Sequence, residues 1–541
     1  MKKTLLCSIS ILCIALLYAQ SDNTSGKIYR AAATKAFDLI HTKLDVRFDY
    51  SKKRMPAKAW ITLKPHFYDQ DSLVLDAKGM ELNKVGIMQS CGMKDLNFDY
   101  SDSLTLKIKL DKQYKRNEQL TVYVDYVAKP DEMLFKGSAA IRNAKGLYFI
   151  NPDGKDSSKP VQIWTQGETE ANSVWFPTID KPNQKTTEEI YMTVPAKYVT
   201  LSNGILKSSK KNNDGTRTDY WKMDLPHAPY LFFIGIGDYA VIKDSYKGKE
   251  VSYYIEKTFE KEARKIYGKT PEMIAFFEKI TGTPYPWAKY AQISGQDYVS
   301  GAMENTTSTL HGSGVQQTAR ELVDGNSWEG TIAHELFHQW FGDLVTAESW
   351  SNLTVNESFA DYSQTLWLEH SKGKDAAAYE NFTGMKNYLS NPADAEKDLV
   401  RFYYKDEMDM FDLVSYQKGG RILHMLRNYV GEEAFTAALK KYLADNKFSN
   451  GSAIKLKLAF EAVTGKDLNW FFDQWYFGNG HPYVRITQQY LADKQQVMVK
   501  IQQTQIQEKL FTLPVGIDVY VNGIRNHYDV WSKNKMDSFY F

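Results

Sequence analysis

Thr331-Ile332-Ala333-His334-Glu335-Leu336-Phe337-His338-Gln339-Trp340 contains HELFH, an H-E-x-x-H match. From Ser327 to Phe341 there is no proline, and Gly330 is the single glycine, so the run predicts a helix. Asn326 is placed to cap that helix, with Glu329 three residues on as its capping-box partner. Residues four apart share a helix face, so His334 and His338 present two imidazoles to one ion. Glu335 lies on the flank, within reach of a water held by that ion. Two imidazoles do not complete a site, because a hydrolytic zinc takes three protein ligands and keeps a fourth position open.

Glu357 is the candidate third ligand. Eighteen residues separate it from His338, enough for one helix to end, a loop to turn and a second helix to return. Thr354 and Glu357 form a T-x-x-E capping pattern at the start of that second helix. Asp361, one turn beyond Glu357, is placed to accept the second N–H of a ligand histidine. Taken alone, Glu357 is an ordinary first-turn acid favoured by the helix dipole. Its spacing from HELFH favours the ligand.

HELFHQWFGDLVT, with the glutamate of NESFA eighteen residues past the second histidine, resembles the zinc aminopeptidases of the aminopeptidase N and leukotriene hydrolase family. Three further motifs match in the family's order: TQGE at Thr165 to Glu168, SGAMEN at Ser300 to Asn305 and SYQKG at Ser415 to Gly419. The chain departs from the family's usual motifs in two places. The family usually has W-L-N-E-G-F-A where this chain has Thr354-Val355-Asn356-Glu357-Ser358-Phe359-Ala360, and Gln417 stands where Y-E-K-G has glutamate. The resemblance runs from about Leu44 to about Pro482.

It implies a multidomain α+β chain with an N-terminal all-β domain, a thermolysin-like, mainly helical catalytic domain and a short C-terminal β-domain. It also implies one Zn²⁺ on His334, His338 and Glu357, with Glu335 as general base. Tyr416 would donate its hydroxyl to the oxyanion. Glu304 and Glu168 would bind the substrate's free α-ammonium. The stretch Gly301-Ala302-Met303 reads as an edge strand with small residues, along which a peptide can pair.

The remainder of the chain sets the frame. Its 541 residues suggest about three domains. Residues 1–19 read as an export leader: Lys2 and Lys3, then the apolar run Leu5 to Leu17, then Ala19 for cleavage. Export to a periplasm or medium is therefore expected. Residues 20–245 read as strands, among them 44–50, 59–65, 72–76, 104–110, 120–127, 199–206 and 230–241. Residues 246–477 form the catalytic domain, with a helical stretch over 259–280 and Tyr416 opening a helix that buries Leu423 and Leu426. Residues 478–541 hold short strands at 483–488, 496–501 and 515–521. Long family members continue into a large helical domain, whereas this sequence stops at Phe541.

The 67 basic and 65 acidic residues leave a charge of +2 with no basic run, which argues against nucleic acid as a partner. Cys7 and Cys13 fall in the leader, so Cys91 has no internal disulfide partner. The other histidines lack metal-ligand spacing.

The expected function is zinc-dependent removal of the first residue from peptides with a free amino terminus. Three rivals stand beside it. HELFH alone equally allows a zinc endopeptidase, one family branch hydrolyses epoxides, and a relative could bind peptides without cleaving them.

Overall fold

The computed structural model describes residues 28–541 apart from residues 91, 134–136, 139 and 507–508. The expected leader and Cys91 lie outside the described residues.

Up to residue 237 the chain is built of strands. An eight-stranded sheet runs in the order Ile205–Lys211, Thr216–His227, Thr186–Pro195, Phe37–Arg47, Met55–Pro65, Leu120–Ala128, Glu81–Gln89, Gly92–Asp95. In Met55–Pro65 and Leu120–Ala128 every second residue is buried. That period belongs to a sheet with one face on a core. A three-stranded and a four-stranded sheet share the core. In the four-stranded sheet, Gln162–Thr165 and Ile234–Gly237 are buried throughout, and the first of them leads into the TQGE segment.

Several expectations are corrected here. Thr186–Pro195 and Thr216–His227 lie outside the expected strands, although both are central. The inward row of Thr186–Pro195 includes Glu188, a buried acid 3.4 Å from His227 Nε2, which breaks the apolar alternation. The expected strand 199–206 parts at Gly204, whose φ of 70° suits glycine and where a Cβ would collide with the Lys222 carbonyl. The expected strand 230–241 also divides. Pro229–Leu231 is a 3₁₀ turn, and Ile234–Gly237 and Tyr239–Tyr246 join different sheets.

Tyr239–Tyr246 pairs with Lys249–Glu256, so the expected boundary after residue 245 falls inside a strand of the catalytic half. That half opens with a five-stranded sheet: Tyr239–Tyr246, Lys249–Glu256, Lys289–Gly295, Ser308–Gly312 and, at the edge, Ala302–Met303. The expected helix over 259–280 is two helices, Ala263–Tyr267 and Thr270–Thr281. Helices Glu329–Phe337, Thr354–Lys372, Lys374–Leu389, Gly419–Val430, Glu432–Asn446, Ala453–Thr464 and Asn469–Trp475 follow around a second core.

The C-terminal part is β. Val484–Leu491, Gln496–Gln503 and Met536–Tyr540 form one sheet, and Leu513–Val521 pairs with Ile524–Ser532. The last two strands before Phe541 are additional to those expected. Their signal was the Asn522-Gly523 pair, both at positive φ (50° and 80°), which closes tight hairpins. The chain is thus a multidomain α+β protein. No described helix is long and apolar enough to cross a membrane.

Candidate active site

The HELFH helix spans Glu329–Phe337, and His338 still closes its last turn by bonding the His334 carbonyl at 3.3 Å. Asn326 does not cap it. Its side-chain oxygen accepts from Trp328 N at 2.9 Å, in the turn before the helix. Glu329 is drawn away from any capping box by Lys269 (2.9 Å) and by the Trp367 indole N–H (2.7 Å). Thr354 is likewise the first residue of its helix rather than a cap, and its hydroxyl bonds Ser358 Oγ at 2.7 Å.

The two helices bring three ligand-type atoms together. His334 Nε2 and His338 Nε2 are 3.2 Å apart. Glu357 Oε2 is 3.3 Å from the first and 3.5 Å from the second. Three donors around a tetrahedral ion at bond lengths of about 2.0–2.1 Å sit roughly 3.4 Å from one another. Glu357 Oε2 is buried and has no hydrogen-bond donor among the described residues, which leaves its lone pair for the shared centre. Burial disfavours its charge, yet the two imidazoles outweigh burial and hold the carboxyl down at about 2. Two imidazoles with one carboxylate fit a zinc-type ion.

Each of the two imidazoles is oriented from behind. His338 Nδ1 donates to the Phe341 carbonyl at 2.9 Å, which leaves Nε2 for the metal. His334 Nδ1 faces the Gln364 side-chain amide at 3.2 Å. Asp361 does not play the expected part. Its carboxylate accepts from Gln417 Nε2 (2.7 Å) and Arg421 Nη2 (3.2 Å) and bonds neither ligand histidine. One turn along the helix, Gln364 takes that place.

Three more carboxylates crowd the same space. The ligand oxygens and nitrogens of Glu304, Glu335 and His338 lie within 4.8 Å of one another, as do those of Glu168, Glu304 and Glu357. All are buried. Burial pushes the Glu335 carboxyl up to about 7. Burial also raises Glu304, and it raises Glu168 further with help from Glu304. Glu168 Oε1 has no hydrogen-bond partner among the described residues. Among the described residues, no lysine or arginine lines the cavity.

That cavity measures about 310 Å³. Ser300, Gly301 and Ala302 line it from the sheet edge, and among the described residues Ala302–Met303 has no strand on its outer side. Met303, expected beside the substrate, faces inward instead. It is buried beneath Gln166, whose amide approaches its sulfur at 3.2 Å. Strand alternation sends its side chain away from its neighbours'. Tyr416 lies in a π-helical turn, Val414–Lys418, rather than at a helix start. Such turns cluster at functional sites. The ring runs parallel to that of His334, with centroids 6.0 Å apart. Burial, then the nearby Glu357, raises its hydroxyl well above 10 and keeps the proton on.

Four residues of the site were not expected: Gln166, Gln364, Phe411 and Tyr230. The first three line the cavity. Tyr230 Oη lies 3.5 Å from Glu304 Oε1 and receives the Asn356 amide at 3.3 Å. Gln364 carried a sequence signal, since it follows Glu357 by two helical turns. Tyr230 carried none, because it arrives from a 3₁₀ turn far away in sequence, and Phe411, five residues before Tyr416, belongs to none of the quoted motifs.

Fold and site together define a metallopeptidase architecture, and sequence comparison agrees. Residues 38–231 match the peptidase M1 N-terminal domain, and residues 266–475 match the peptidase family M1 domain. The chain belongs to peptidase family M1. A probable aminopeptidase 1 from Sulfurisphaera tokodaii is 30% identical over 401 residues, 71% of this chain and 50% of that protein. Aminopeptidase M1 from Arabidopsis thaliana is 28% identical over 63% of this chain and 39% of its own. The crystal structure of Legionella pneumophila aminopeptidase A in complex with aspartic acid superposes with a TM-score of 0.78 at 20% identity. That match covers 96% of this chain and 58% of the other. The chain spans about half the length of the curated relatives it matches.

Proposed function

We propose that the protein is a zinc-dependent aminopeptidase acting on peptides with a free amino terminus. The observation that carries this reading is the buried pair Glu168 and Glu304 beside the His334–His338–Glu357 cluster, in a cavity that no cationic side chain lines among the described residues. Such a pair asks for a cationic ligand. A peptide's α-amino group, with an ordinary pKa of about 7.7–8.0, supplies one near neutral pH. An endopeptidase has no use for that pair. The aminopeptidase names of the relatives support the same choice.

His334, His338 and Glu357 would hold the zinc. When bound, the ion supplies a Lewis acid that lowers the pKa of a coordinated water to about 7. Glu304 and Glu168 bind the ammonium and so bring the first peptide bond to the site. The free edge of Ala302–Met303 aligns the peptide backbone by strand addition. Glu335 accepts the proton of the attacking water on a carboxylate oxygen and returns it to the leaving amine nitrogen. Tyr416 Oη donates a hydrogen bond to the carbonyl oxygen as negative charge develops there.

The test uses one peptide and its N-acetylated twin, followed by mass spectrometry. The free peptide should shorten one residue at a time from its amino end while the twin stays intact. Glu304→Ala should remove that preference along with most activity. Internal fragments of similar yield from both peptides would replace this reading with an endopeptidase.

The metal is tested separately. Glu357→Ala deletes one of three ligands, so zinc per chain should drop well below one on dialysis, measured by atomic emission. Zinc content equal to the parent's would move the third ligand elsewhere.

A further inference from the structure

The helix Thr354–Lys372 carries more than Glu357. On it, Ser358 and Asp361 stand three residues apart, hence on one face, and both are buried. Ser358 Oγ donates to the Ser415 carbonyl at 2.6 Å. The Thr354 hydroxyl, 2.7 Å from Ser358 Oγ, is then left to donate to it. Asp361 Oδ1 accepts from Gln417 Nε2 at 2.7 Å, and Oδ2 from Arg421 Nη2 at 3.2 Å. The two anchor points, residues 415 and 417, flank Tyr416.

The approach is close by construction. A Cβ on Gly419 would collide with Ser358 Oγ, and one on Gly420 would collide with Asp361 Oδ2. The glycine pair therefore lets the turn and the following helix lie against the polar face of the Glu357 helix. On its other side the turn is held by Asp412, whose Oδ1 receives Val414 N and Ser415 N at 3.0 and 3.1 Å. A π-helical turn spends an extra residue, and this one closes on few i→i+5 bonds of its own, among them Lys418 N to the Leu413 carbonyl at 2.9 Å, so the contacts from outside add to what sets its geometry.

From this arrangement we infer that Ser358 and Asp361 are positioning residues that clamp the turn on both sides of Tyr416 and so fix its hydroxyl over the metal cluster. The inference rests on the proposed role of Tyr416. One helix would then hold both the third metal ligand and the alignment of the oxyanion donor. Neither Ser358 nor Asp361 touches the cavity; each acts through the turn.

The test is a double-mutant cycle on the zinc-loaded full chain. Ser358→Ala keeps the Cβ and removes one hydroxyl. It should lower kcat about tenfold with KM nearly unchanged, because an interaction made only in the transition state is lost. Asp361→Asn should do the same or more. In the Tyr416→Phe background neither substitution should cost anything further, since residues that act as a unit are not additive. Equal losses in both backgrounds, or an unchanged kcat, would overturn the clamp.

A second measurement needs no activity. With 3-fluorotyrosine placed at position 416, the parent should give one sharp fluorine resonance, and Ser358→Ala or Asp361→Asn should broaden or split it. Lines unchanged in both variants overturn the proposal. If Tyr416→Phe alone keeps near-parental kcat, the catalytic role of Tyr416 fails, and the fluorine line then decides the clamp without it.

Discussion

Glu335→Gln is expected to lower kcat by about two to four powers of ten, the range for loss of a general base. The amide keeps the shape of the carboxylate but cannot take a proton near neutral pH. Glu335 is buried at the cavity, next to the metal cluster and the Glu304 carboxylate. Burial pushes its carboxyl up to about 7, the range suited to accepting and returning a proton at neutral pH. His334, His338 and Glu357 are left untouched, so zinc content should equal the parent's. Metal analysis and single-turnover kinetics on the same preparation check both halves. A variant that loses its metal would place Glu335 among the ligands. One that keeps full turnover would remove it from the chemistry.

Tyr416→Phe removes one hydroxyl and almost no volume. Loss of a single oxyanion donor costs about 10²–10³ in kcat. If the hydroxyl acts only as charge develops on the carbonyl oxygen, KM should stay close to the parent's. The ring itself should be held in place. Its backbone is fixed by Ser358 and Asp412 on either side, and its face lies parallel to His334. Steady-state kinetics on an arylamide substrate, with zinc content measured alongside, decide the matter. A near-normal kcat would return Tyr416 to a packing role.

Much of the site was legible because its chemistry is local. His334, Glu335 and His338 lie within five residues, and helical geometry alone puts the two imidazoles on one face. Glu357 was legible from its distance along the chain. Capping was misread for a physical reason. Asn326, Glu329 and Thr354 have the right types at the right spacing, but each finds another partner: Asn326 meets Gln317 and Ile266, Glu329 meets Lys269 and Trp367, and Thr354 meets Ser358 one turn along its own helix. Asp361 was misread in the same way. It has the register to support a ligand histidine, yet the guanidinium of Arg421 and the amide of Gln417 claim it.

Two of the departures from the family's motifs, Ser358 and Gln417, looked independent in the sequence. In the structure they lie on the two sides of one contact. Ser358 bonds the carbonyl before Tyr416, and Gln417 bonds Asp361 just after it. A glutamate at 417, a half-buried position, would set a second carboxylate against the buried one of Asp361.

By itself, the sequence pointed to the family, through motifs matched in order along most of the chain, to the α+β make-up, and to the pair of imidazoles with Glu357 as their candidate partner. The imidazole pair needs only helical periodicity over one turn of chain. Only the tertiary structure decided that Met303 turns inward, that Tyr230 reaches Glu304, that Gln364 backs His334, and that Tyr416 rides on a π-helical turn held by Ser358 and Asp361. Each of these joins residues from separate elements. Which donor meets which acceptor there is set by how closely two elements approach, and at Gly419 and Gly420 that approach depends on two absent side chains.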